Sequence, residues 1–185
     1  MNSEQSKYTA ACYCRLSKDD LQDGIGGVNM INTDLINPVI KEKLYLCGWN
    51  ENIRYDIVDA VGTLNKEGYH IFPYAEEVLR LFLNTEIIFD LKELKKIHAK
   101  RSRCYGEIRF NLLDTASGMY DSYGYLSSIL NENVYPIGSV NNCLCLLVGE
   151  SKRIYIDIKP VPKILGIDIV DFLNNIIAYK KFGIF

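Results

Sequence analysis

Apolar positions along this 185-residue chain recur either every three to four residues or every second residue, and the switches between these spacings predict its elements. Asn37-Pro38 has the form of a helix start, a capping side chain followed by proline at the first helical position. Val39, Ile40, Lys43, Leu44 and Cys47 then recur at helical spacing, and Gly48 is a natural stop. A second helix is predicted over about residues 55–67, with Ile57, Val58, Val61 and Leu64 inward and Gly68 ending it. Residues 69–72 read as a short strand. Pro73 opens a third helix with Ala75, Val78, Leu79 and Phe82 inward, and with Glu76 and Glu77 near the positive end of its dipole. Strands are predicted over residues 86–91 and 106–112; in the second, Ile108, Phe110 and Leu112 alternate as in a half-solvated antiparallel strand. Ser117 is placed to cap a helix reaching about Asn131, with Met119, Tyr123, Leu126, Ile129 and Leu130 inward.

The following stretch, VYPIGSVNNCLCLLVGESKRIYID, reads as three short strands. The first ends in Pro136-Ile137-Gly138, Asn141 and Asn142 turn the chain, and an apolar strand runs from Cys143 to Val148. Gly149-Glu150-Ser151-Lys152 turns it again into a half-buried strand over residues 153–157. A strand over 163–167 and a helix over 169–179, carrying Ile169, Phe172, Leu173, Ile176 and Ile177, complete the pattern. Helices cluster early and strands late, so the expected class is α+β. The expected architecture is a twisted, mainly antiparallel sheet of five to six strands with helices packed on one face. No internal repeat is present.

Composition narrows the function classes. Hydrophobic residues make up 48% and charged residues 24%, ordinary for a globular domain. The formal charge of −2 gives no bulk attraction for nucleic acid or an anionic membrane. No apolar run has the length of a transmembrane helix, and the first twenty residues contain no apolar signal core, so a cytoplasmic protein is expected. Six cysteines lack any CxxC pair, and His70 and His98 are the only histidines. The cysteines are read as small buried hydrophobes in a reducing compartment, and no metal or cofactor is expected.

No spacing suggests a Ser/His/Asp or Cys/His set. Asp168 and Asp171 read as acids in the first turn of the last helix rather than as metal ligands with Asp157. His70 reads as structural. Arg101 and Arg103 lie in a basic run that forms a solvated face, touches an acidic partner or touches nucleic acid. Trp49 either anchors a partner or closes the first helix onto the core. Of thirteen tyrosines, Tyr120, Tyr123, Tyr125 and Tyr135 crowd one region, and tyrosine suits the wet rim of an interface. Trp49, Arg101, Arg103, Tyr120, Tyr123, Asn141 and Asn142 are therefore the candidate partner contacts.

Two resemblances add to this. Residues 8–20, YTAACYCRLSKDD, resemble the amino-terminal catalytic strand of serine recombinases, in which Arg15 would clamp a phosphate and Ser17 would attack it. The resemblance covers about thirteen residues and stops, so residues 1–31 are expected to be a non-functional extension ahead of a domain over residues 32–185. That domain resembles the SUKH superfamily, most closely its third subgroup. The matching steps are Cys47-Gly48-Trp49, Glu67-Gly68-Tyr69, Phe72-Pro73, Pro136-Ile137-Gly138, Asn141-Asn142, and a late Gly-x-x-Tyr pattern altered here to Lys152-Arg153-Ile154-Tyr155. The family's late glycine falls either at Lys152 or, displaced, at Gly149. The resemblance implies a bacterial immunity protein, not an enzyme, that binds a cognate toxin (a nuclease, deaminase or similar) and occludes its active site. The alternatives are a recombinase-derived fragment acting on DNA and a general protein-binding scaffold.

Overall fold

The computed structural model describes residues 31–89, 106–158 and 161–176. Within them a 3-10 turn, Thr33–Leu35, precedes helices α1 (Pro38–Leu46), α2 (Val58–Lys66) and α3 (Pro73–Phe82). Strands β1 (Glu86–Phe89) and β2 (Gly106–Arg109) lead to helices α4 (Leu112–Ala116) and α5 (Tyr120–Leu130). Strands β3 (Val134–Val140), β4 (Leu144–Gly149), β5 (Ile154–Ile156) and β6 (Lys163–Gly166) and helix α6 (Ile169–Ile176) follow. The six strands form one antiparallel sheet in chain order, so the expected α+β class is the observed one.

Register explains the core. Ile87 pairs with Ile108, Ile108 with Val140, Leu146 with Ile156, and Val148 with Ile154. Paired residues share a face, so this side of the sheet is a continuous apolar surface, and all seven of these residues are buried. Phe110 extends it, and Phe82 of α3 packs on Phe110 at 5.3 Å between ring centroids. The opposite side changes along the sheet. At β1–β2 it carries the ion pair of Glu86 and Arg109, together with Glu107 and an exposed Ile88. At β4–β5 it carries Leu147 and Tyr155, both buried. Tyr123 of α5 reaches Cys145 on that side, so helical cover extends there too.

Two helices end in the same way. Gly48 adopts φ +84° and Gly68 φ +105°, and the next residue's N–H bonds back to the carbonyl five positions earlier (Trp49 to Leu44, Tyr69 to Leu64). Each glycine thus closes a Schellman cap and turns an aromatic residue into the core. At Gly68 the ring of Tyr120 also fills the space a Cβ would need, at 2.9 Å.

Several expectations give way. Residues 69–72 form no strand; they are extended but join no ladder, because Tyr69 points into the core and donates its hydroxyl to the Ala116 carbonyl at 2.8 Å. The helix expected from Ser117 is α5, which begins at Tyr120 after Gly118 with φ +74°; the short helix α4 before it was not expected, and it starts at Leu112, where the strand over 106–112 was expected to end. The Glu67 carboxylate holds the turn between them, accepting from Ser117 Oγ and Gly118 N at 2.8 Å each. Val58 and Met119 are exposed, not inward, since each lies at the very start of its helix. The β5 strand is buried at all three positions rather than half-buried.

Candidate partner-binding surface

The residues that carry the family resemblance build the fold. Trp49 is 2% exposed, donates Nε1–H to the Leu81 carbonyl at 2.9 Å and stacks on Phe82 at 5.9 Å. It closes α1 onto the core and leaves the set of surface candidates. Pro136-Ile137-Gly138 is a bulge in β3, where proline's missing N–H is tolerated. A Cβ at Gly138 would lie 2.0 Å from the Arg109 carbonyl oxygen, so glycine lets β2 and β3 approach. Asn141 and Asn142 both have positive φ, 53° and 55°, the pattern of a type I′ hairpin turn. Asn141 Oδ1 accepts from Glu107 N at 3.0 Å and Asn142 Nδ2 donates to Glu107 Oε2 at 3.2 Å, which ties the hairpin tip to β2.

The β4–β5 turn contains both positions named for the late glycine. Lys152 has φ +72°, the left-handed conformation that glycine adopts at least cost. Gly149 meets a different need: a Cβ there would lie 2.4 Å from Glu132 Oε2. Glu132 uses that space to accept from Ser151 N at 2.9 Å, Ser151 Oγ at 3.0 Å and the Tyr155 hydroxyl. Burial works against its charge, but these bonds, that from Tyr155 foremost, outweigh it and hold the carboxyl below its ordinary pKa.

Lys152 also borders a cleft of about 330 Å³ with Tyr74, Asp168, Asp171 and Asn174. Its polar side chains serve the fold. Asp168 Oδ1 accepts from Asp171 N and Asp171 Oδ2 from Ile167 N, at 2.7 and 3.0 Å, so both acids cap α6, in line with their reading as first-turn residues. Asn174 bonds Asn37 N and the Leu35 carbonyl, and the Lys152 ammonium sits 5.5 Å from the Tyr74 ring centre.

The tyrosines divide between inside and outside. Tyr69, Tyr123 and Tyr135 are buried together, and Tyr123 donates to the Thr115 carbonyl at 2.6 Å beside Cys145 Sγ at 2.8 Å. Burial raises all three phenols, Tyr135 to about 12, and likewise lifts the Cys145 thiol to about 12. All therefore stay protonated at neutral pH. Tyr120 and Tyr125 face outward at 42% and 66% exposure, accompanied by exposed Leu113 and Met119. Sequence reasoning named Tyr120 and Tyr123 together; only Tyr120 reaches the surface. It named Tyr125 among the crowded tyrosines without making it a contact, placed Met119 inward and passed over Leu113; of these Tyr125 alone had a periodicity signal, lying on the face of α5 opposite Tyr123 and Leu126.

Charge is one-sided along this part of the sequence. Residues 110–151 contain Asp114, Asp121, Glu132 and Glu150 but no Lys or Arg. The described residues hold nine Lys and Arg against seventeen Asp and Glu, a balance of −8 in a chain of −2. Among the described residues no group of His, Cys, Asp and Glu could hold a metal ion, and no helix is long and apolar enough to cross a membrane. His70 is exposed and Cys47 and Cys143 are exposed, which corrects the reading of the cysteines as uniformly buried; Cys143 ends the hairpin turn. Arg15, Ser17, His98, Arg101 and Arg103 lie outside the described residues.

These features define an α+β domain whose sequence motifs are devices of turn and core. The model of the family described as SUKH-3 immunity protein matches residues 36–179, most of the chain, and the protein belongs to that family. No curated protein and no solved structure matches it.

Proposed function

We propose that this protein is a bacterial immunity protein that acts in the cytoplasm by binding a cognate toxin and occupying its active site, with no chemistry of its own. A nuclease or deaminase is the class of toxin favoured. The observation that carries this reading is membership of the immunity family. It is supported by the outward-facing Tyr120 and Tyr125 on a segment without cations. An interface of roughly 1,600 Å² would suffice for tight, specific binding.

The test is co-expression of the full chain with each toxin domain encoded in its host, one pair at a time. The expected result is restored growth with one toxin and a stoichiometric complex on gel filtration. Failure of every pair, by growth and by complex formation, would defeat the reading.

A further inference from the structure

The outer side of the α4–α5 shoulder combines three features, although Tyr120 also packs its ring against Gly68 and Tyr69 and the Asp114 carboxylate accepts from Asn111 Nδ2. Leu113, Met119, Tyr120 and Tyr125 expose apolar and aromatic surface on one short segment. Asp114 and Asp121 are exposed on the same segment, within the 42-residue stretch 110–151 that holds no Lys or Arg. Gly124 sits inside α5, although glycine is the least favourable helix-interior residue after proline. A Cβ at Gly124 would meet nothing within 4 Å, so no packing within the chain calls for glycine there. A missing side chain between two outward tyrosines on a helix lets another molecule approach the backbone closely.

We infer that this face, residues 113–128, is where the partner docks, and that the partner is a protein surface bearing lysines or arginines around an apolar contact. This rests on the reading of the protein as a partner-binding module. Exposed tyrosines supply contact area at low entropic cost, and the acids select a cationic partner and steer its approach. The surface thus suits a toxin whose own active site is basic, such as one that handles nucleic acid.

Two measurements test this, one of them independent of any toxin. In the first, the isotope-labelled full chain is titrated with decaarginine at low salt and followed by NMR. Shifts concentrated in residues 113–128 are expected, with none from decaglutamate. Shifts spread over Asp34, Asp56 and Asp59, or no shifts, would overturn the proposal. In the second, Gly124→Ala and Asp121→Lys are compared with Glu42→Lys on α1 for binding to the toxin domain found by co-expression. About tenfold or greater weakening is expected from the first two. The α1 variant should bind as the parent does, and Gly124→Ala should melt higher than the parent while binding worse. Parent-like binding by both shoulder variants sinks the docking surface alone. Failure to bind any toxin domain sinks the immunity reading, and the decaarginine titration then decides the surface. Sedimentation showing a dimer abolished by Asp121→Lys would replace the cationic partner with a second copy of this chain.

Discussion

The helical layer around Trp49 and the α4–α5 shoulder are both rich in aromatic residues, but they finish their surfaces differently. In the first, the large rings turn inward: Trp49 lies on Phe82 and Phe82 on Phe110. Charges there come in both signs and meet, as Lys41 with Glu51 and Arg80 with Glu76. In the shoulder, one tyrosine of α5 enters the core while two keep exposed surface, and the charges of the segment are acids only. Surface ion pairs contribute little to stability, so the contrast is not one of strength. It separates a region whose rings and charges are paired within the chain from one that leaves Met119, Asp121 and Tyr125 toward solvent.

The sharpest break of that contrast is at Trp49. Trp49→Ala should cost about 3–5 kcal/mol by emptying a packed site and leaving the Leu81 carbonyl unbonded. Thermal unfolding should then fall by roughly 10 °C. A loss under about 1 kcal/mol would mean that this region is not the closed one. Glu132 comes next, as the acid of the cation-free stretch that the fold does use. Glu132→Gln should cost about 2 kcal/mol at neutral pH. The folded pKa lies below the ordinary value, so the stabilisation is complete above the unfolded carboxyl's pKa, about 4.3, and is lost as pH falls through the lower, folded one. Between about pH 5 and pH 3 the parent should therefore lose stability more steeply than the variant, as read from urea midpoints. Parallel curves would place Glu132 with the unused acids. The smallest effect is at Gly124, where alanine should gain about 1 kcal/mol, seen as a melting temperature higher by a few degrees. Destabilisation by that change would show that the outer face of α5 is packed after all.

What could be read from the chain depended on the range of the interaction involved. Helix starts and stops are local: Asn37 caps α1 with its own side chain, and Gly48 and Gly68 end their helices through bonds spanning five residues. The Asn141-Asn142 turn is equally local, and each was legible. The short helix α4 was not, and the Glu67 carboxylate that fixes the turn between it and α5 is 50 residues away from Ser117. Nor was the fate of residues 69–72, whose composition suits a strand but whose Tyr69 is claimed by Ala116 across 47 residues. The candidate surface suffered similarly. Trp49 and Tyr120 are equally good anchors on paper, and only the burial of one against Phe82, with the other left half-exposed beside Gly68 and Tyr69, separates them.

The sequence alone therefore determined the α+β class, the turns that join the strands of residues 134–157 and the family, because spacing, caps and turn residues act over a few positions. The tertiary structure alone decided which aromatic side chains remain outside, which acids are spent as latches and which helix face is left open. Those outcomes depend on neighbours that the fold brings together from distant parts of the chain.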